Sequence, residues 1–180
     1  MQIPSVTQAI GIFTQDAYAK IPEDVLQAAQ ERGIVLHELA GQYAAGMWID
    51  EVPDTVTGYF TSFRRWFDSF AVKTILVEQL LVHPTLLYQG TPDWAGVIKG
   101  DDVITLLDWK TPVFASKAWR LQLAAYRALL EKHGHPVKRV GSLQLRKDGK
   151  AAKFVEYTGS LTDDMRIFMA VLTAWRFLND

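Results

Sequence analysis

The sequence predicts one α/β domain spanning residues 1–180, with helices carried on a β-sheet. Three observations point there. Runs at 91–98, 103–109, 137–145 and 151–157 have strand length and strand composition, and turn residues separate them. Stretches at 21–45, 54–71, 116–133 and 162–178 are longer, with apolar residues three and four apart. The two kinds interleave without an internal repeat, low-complexity tract or linker, which is the pattern of a sheet layered with helices.

Composition narrows the function classes. With 49% hydrophobic and 22% charged residues, the chain is an ordinary globular sequence long enough to bury a core. No apolar run approaches the roughly 20 residues that span a bilayer, so no membrane association is expected. The opening MQIPSVTQAIGIF lacks a signal peptide's basic region and cleavage site, and a cytoplasmic location is expected. Zero cysteines exclude disulfides, thiolate zinc sites and cysteine nucleophiles. A net charge of −1 gives no global attraction to nucleic acid, so any such binding must use a local patch.

In chain order, residues 3–14 read as a turn or short helix. Ile21-Pro22-Glu23-Asp24 looks like a helix start, and the apolar stripe of Val25, Ala28, Ala29, Leu36, Leu39, Ala40 and Tyr43 runs to about Ala45, with Gly46 as a stop. Gly33 is a point where this helix can break. Gly33, His37, Ala40 and Ala44 share one face, where another element can approach closely. Asp54 or Thr55 is expected to cap the next helix, whose aromatic residues from Tyr59 to Phe70 are mostly core, with a secondary role as a wall for a nucleic-acid strand. Residues 73–82 read as one strand with Glu78 inside it. Pro112 ends the strand at 103–109. In the following helix Lys117, Arg120 and Arg127 form a basic face, while Gln122 and Tyr126 are neighbours on another. Lys147-Asp148-Gly149 is a hairpin signal between the last two strands.

The chemistry gathers on the hairpin at 91–109. Its turn, Lys99-Gly100-Asp101-Asp102, places Ile98 opposite Val103 and therefore Asp93 opposite Asp108. Directly opposed side chains have Cβ atoms roughly 5 Å apart, and like charges so placed are destabilising. Lys110 projects from the same face as Asp108, because side chains alternate along a strand. Two carboxylates and an amine at one spot call for a compensating cation. Adding His37 and Glu78 gives a donor set suited to Mg²⁺ or Mn²⁺. Each residue also has a plainer reading: His37 as a packed helix residue, Glu78 on a sheet edge, Asp93 in a turn, Asp108–Lys110 as a surface ion pair, Gln122 and Tyr126 on a solvated helix edge, and the basic stripe as a solvated face. Register alone brings Asp93, Asp108 and Lys110 together, and that favours the joint reading.

The ordered set formed by Glu78, G-T-P-D ending at Asp93, D-W-K from Asp108 to Lys110 and Q-L-A-A-Y from Gln122 to Tyr126 resembles the PD-(D/E)XK nuclease superfamily. Within it the RecB-like branch carries an upstream helical histidine, matched here by R-G-I-V-L-H ending at His37, and a Q-x-x-x-Y motif. The opening P-S-V-T is similar to the start of mitochondrial genome maintenance exonucleases and phage exonuclease-like proteins. The resemblance covers roughly residues 4–130. It implies a restriction-endonuclease-like core, a central mixed β-sheet flanked by α-helices. It implies metal ligation by His37, Glu78, Asp93 and Asp108, and catalysis by Lys110 with Asp108, Asp93 and Glu78. It also implies DNA contact through Gln122 and Tyr126, joined by Lys117 and Arg120 of the basic face, with Ser5 and Thr7 as minor strand contacts. Many RecB-like relatives hold a four-cysteine iron–sulfur cluster, which this chain lacks the residues to bind. The expected activity is a Mg²⁺- or Mn²⁺-dependent DNA exonuclease acting on single strands or free ends, in phage- or prophage-type recombination or repair. The alternatives are a structure-specific endonuclease, a non-catalytic nucleic-acid-binding module and a structural metal-binding protein.

Overall fold

The computed structural model describes residues 2–13, 22–111 and 116–179. Ile21 of the expected helix start and the strand-ending Pro112 lie outside these residues. The chain begins with α1 (Val6–Ile10), closed by a capping box: Ser5 Oγ accepts from the Gln8 amide and Gln8 Oε1 accepts from the Ser5 amide. A 3₁₀ turn follows at Gly11–Phe13.

Helix α2 (Glu23–Ala44) starts after Pro22, with Glu23 and Asp24 in its first turn, and ends before Gly46 at φ 79°. It runs through Gly33 without a break, because Leu36, Ala40 and Ala44 anchor the helix beyond it. Helix α3 (Asp54–Phe70) is not capped by Asp54 or Thr55. Pro53 occupies the N-cap position, its carbonyl accepting from the Val56 and Thr57 amides, so Asp54 is already helical.

Strand β1 (Ala71–Val77) follows α3 directly, and here the expected strand at 73–82 is corrected. The backbone turns left-handed at Glu78 (φ 43°), whose amide donates to the Asp93 carbonyl at 3.2 Å. Beyond it β2 (Leu81–Val82) pairs with β3 (Gln89–Gly90) in a separate two-stranded sheet. Glu78 is thus carried on a bend rather than within a strand. A left-handed glutamate leaves no compositional mark, so this break was invisible in the residue pattern.

The hairpin of β4 (Trp94–Ile98) and β5 (Ile104–Lys110) has the expected register, with Trp94 opposite Leu107 and Val97 opposite Ile104. Asp93 lies one residue beyond the ladder rather than inside it. Helix α4 (Ala118–Lys132) then crosses to β6 (Val137–Gln144), parallel to β5, and β7 (Lys153–Glu156) returns antiparallel. Helix α5 (Leu161–Asn179) is the last element among the described residues. The result is a five-stranded mixed sheet in the order β1-β4-β5-β6-β7 flanked by helices, consistent with a restriction-endonuclease-like core.

The strand pleat divides the interior into two layers. Leu76, Ala95, Leu106 and Val140 pack with α1, α4 and α5. Trp94, Leu107, Trp109 and Leu143 pack with α2 and α3. Each fully buried large side chain among them contributes about 1.5–3 kcal/mol relative to exposure. No helix among the described residues is long and apolar enough to cross a membrane.

Candidate active site

The pleat that sends Leu107 and Trp109 to the α2 side sends Asp108 and Lys110 to the α4 side. Asp108 is fully buried, with Oδ2 2.6 Å from Lys110 Nζ, and its Oδ1 has no hydrogen-bond partner among the described residues. Lys110 Nζ donates to Gln122 Oε1 at 3.1 Å, and Gln122 Nε2 donates to the Tyr126 hydroxyl at 3.2 Å. Gln122 and Tyr126 are both buried, so they grip the lysine from α4. Tyr126 also packs against Gly90, where a Cβ would lie 2.5 Å from Tyr126 Cε1. Glycine there lets the segment leading to Asp93 pass close to α4.

From the opposite layer α2 contributes His37. A carbonyl oxygen only accepts, so the 3.0 Å contact between His37 Nε2 and Trp109 O places a proton on Nε2. Nδ1 is thereby turned towards Asp93 Oδ1 at 3.3 Å and Glu78 Oε1 at 3.7 Å. Asp93 Oδ2 accepts from the Trp109 amide at 2.6 Å. One peptide neighbour of Asp108 thus orients two other members of the site. Close approach of the Glu78 bend is allowed by Gly41, one turn beyond His37, where a Cβ would lie 3.0 Å from Glu78 Cγ. The expected small-residue face is real, but Gly33, where a Cβ would meet nothing within 4 Å, is not its contact point.

These contacts set the charges. Burial works against a charged His37, but the Asp93 and Glu78 carboxylates outweigh it and hold the imidazole well above its usual value. Burial raises Glu78, and His37 partly offsets the rise. Asp93 is fully buried too, yet the charge of His37, then Lys110 and the Trp109 amide, hold it low. Asp108 is pushed up to about 6 by burial, with Asp93 adding to the rise and Lys110 opposing it. Two adjacent carboxylates are thus held on opposite sides of their ordinary value.

His37 Nδ1, Glu78 and Asp93 offer ligand atoms within 4.8 Å of one another, a group that can hold a metal ion. Imidazole nitrogen and carboxylate oxygens suit a divalent cation such as Mg²⁺ or Mn²⁺. The fixed Nε2 proton on a carbonyl is the usual outer support of a ligating histidine. The buried Asp108 Oδ1, without a hydrogen-bond partner among the described residues, is a further acceptor on the same face as Lys110. The absence of cysteine excludes a cysteine-ligated iron–sulfur cluster.

Other expected contacts lie elsewhere. Arg120 forks onto Asp164 of α5 at 2.8 and 3.1 Å, and Arg127 pairs with Glu131, so most of the basic face is taken up in ion pairs. Lys117 is exposed at the start of α4. Ser5 caps α1 and forms an isolated bridge with Gln89, while Thr7 is exposed beside it. Sequence reasoning missed Trp119, whose ring centroid lies 5.8 Å from Lys110 Nζ. Its spacing three residues before Gln122 was the available signal.

No protein-family model matches the sequence, and no curated protein matches it. Among solved structures, the chain is similar to LHK-Exo in complex with dAMP, at 16% identity and a TM-score of 0.42, covering 97% of this chain and 88% of that one.

Proposed function

We propose that this protein is a Mg²⁺- or Mn²⁺-dependent deoxyribonuclease of the RecB-like branch of the PD-(D/E)XK superfamily. It acts as an exonuclease on single-stranded DNA or free ends in phage- or prophage-type DNA processing. The observation that carries the reading is the convergence of His37 Nδ1, Glu78 and Asp93 from separate elements beside the Asp108–Lys110 pair. Ion pairs of convenience do not bring two buried carboxylates together at an energetic cost.

His37, Glu78 and Asp93 would hold the cation, with Asp108 beside them. When bound, a divalent cation lowers the pKa of a water and neutralises charge on a phosphate. The chain's own residues do the rest. The Trp109 amide and carbonyl fix Asp93 and His37 in the orientations the site needs. Gln122 and Asp108 hold the Lys110 ammonium in place, where it orients the attacking water and stabilises charge growing on the phosphate oxygens. Tyr126 keeps Gln122 aligned from the buried side.

The test is a time course on 5′- and 3′-labelled single strands and on a covalently closed single-stranded circle, with Mg²⁺, Mn²⁺ or chelator. Metal-dependent shortening of linear strands with the circle intact is expected. Cleavage of the circle would replace the exonuclease reading with an endonuclease one. Wild-type digestion by Asp108→Ala or Lys110→Ala protein would refute the assigned site.

A further inference from the structure

A cavity of about 530 Å³ opens between α2, the start of α3 and the β6–β7 turn, lined by Arg32, Asp54, Thr55, Tyr59 and Lys147. Two elements run from it to the candidate active site. Arg32 precedes His37 by five residues on α2, about 7.5 Å along the axis. Gln144 is the β6 partner of Lys110, and the next residue, Leu145, donates its amide to the Lys110 carbonyl at 2.8 Å. The chain therefore leaves the sheet at the lysine's edge and reaches Lys147 two residues later.

The walls are built rather than incidental. A Cβ on Gly58 would lie 1.8 Å from the Lys147 carbonyl oxygen, so only glycine lets α3 meet the turn this closely. Ser62 Oγ accepts from the Arg146 amide at 3.1 Å and fixes the same junction. Within the cavity, the Arg32 guanidinium carbon lies 5.8 Å from the Tyr59 ring centroid, and its Nε is buried with no hydrogen-bond partner among the described residues. A guanidinium nitrogen held beside a ring with no acceptor among the described residues is unspent hydrogen-bonding capacity. Lys147 is exposed, while the neighbouring Asp148 is engaged by Arg146 and Lys150 instead.

Charge selects the ligand. Arg32 and Lys147 bring two positive charges and Asp54 one negative, leaving an excess matched to a single phosphodiester rather than to a dianionic terminal phosphate. The Thr55 hydroxyl is an additional donor. Tyr59 is half-buried on a helix whose Phe60, Phe63 and Trp66 are buried in the core, and its ring lines the cavity beside Arg32.

We propose that this cavity is a strand subsite, in which Arg32 and Lys147 take one phosphodiester of single-stranded nucleic acid and a base stacks on Tyr59. The proposal rests on the nuclease reading of the neighbouring centre. The probe is a fluorescent oligodeoxythymidine bound in chelator, so that affinity is read without cleavage. Arg32→Ala and Tyr59→Leu should each weaken binding about fivefold or more, and Tyr59→Phe should bind as wild type. Lys147→Ala should lower the slope of log affinity against log salt by about 1. Thermal melts establish that each variant is folded, and Arg32→Lys, which keeps the charge, should recover part of the lost affinity.

Wild-type affinity in both Arg32→Ala and Tyr59→Leu, or no binding of the oligomer by the unaltered protein, overturns the subsite. A separate digestion with Mn²⁺ distinguishes the two ideas. Wild-type protein that binds the strand through Arg32 and Tyr59 but cleaves nothing retains the subsite and loses the nuclease reading. Protein that cleaves but is indifferent to all three substitutions does the reverse.

Discussion

Asp108 carries the sharpest conflict between stability and chemistry in the molecule. Its carboxyl is fully buried, its pKa lies near 6, and one oxygen lacks a hydrogen-bond partner among the described residues. Ionising it at neutral pH therefore costs folding energy in the metal-free protein. Asp108→Asn removes that charge in nearly the same shape. We expect it to raise the metal-free melting temperature by roughly 2–4 °C per kcal/mol recovered, while abolishing hydrolysis. Thermal melts paired with digestion of a labelled strand check both halves, and a lower melting temperature would contradict the account.

The same residues make metal binding pH-dependent. Because the folded pKa of Asp108 is raised, the folded state holds more protons than the unfolded state between about pH 4 and 6, and stability from this group falls as pH rises through that window. The raised pKa of His37 contributes stability that is present below its ordinary value and lost as pH climbs through its folded value. Both trends run the same way in the metal-free state. Ligation needs the imidazole neutral at Nδ1, so a cation must displace a proton from it. Below the folded pKa of His37, apparent Mn²⁺ affinity should rise about tenfold per pH unit for each proton displaced. Calorimetric titration from pH 6 to 8 in two buffers of different ionisation heat would count those protons.

Among the elements, the β4–β5 hairpin was the most legible in the sequence. The turn at Lys99-Gly100-Asp101-Asp102 set the register of the two strand-like runs, and the ladder keeps it, with Trp94 opposite Leu107 and Asp93 one residue beyond its end. The Glu78 bend and the histidine contact were not legible. The bend depends on a left-handed residue that is not glycine, and the His37 anchor is the Trp109 carbonyl, a group every residue has. The ion pair of Arg120 was hidden for a different reason: its partner, Asp164, lies on α5 far along the chain. Element junctions also yield a stability prediction. Gly58→Ala should destabilise the protein by about 1–3 kcal/mol, since a Cβ 1.8 Å from backbone requires α3 or the turn to move. Chemical denaturation measures the loss, and a neutral result would show that the junction yields.

Across the whole molecule, the candidate site is the place where the two layers meet. Asp108, Lys110, Gln122 and Tyr126 belong to the α4 side, while His37 comes from α2 on the other side, reaching the shared strand ends. A cation held there ties both layers to one point. Hydrogen exchange with and without Mn²⁺ should therefore show added protection in α2 and in the residues around Asp93 together. The β7 edge, at the far side of the sheet, should be unchanged. Protection confined to one layer would contradict a shared centre.

Trp109 has an indole fully buried among Phe63 and its neighbours, while its amide and carbonyl hold Asp93 and His37. Its identity matters to the core and its position matters to the chemistry, so one residue transmits between them. Repacking the apolar layer under β5 acts as a tuning screw on the ligands above it. Phe63→Leu, which alters no charged group, should weaken Mn²⁺ binding as well as lower stability, and calorimetric titration of the folded variant would register it. Drift in that oily layer is then limited by how tightly the cation must be held, long before the fold itself is at risk.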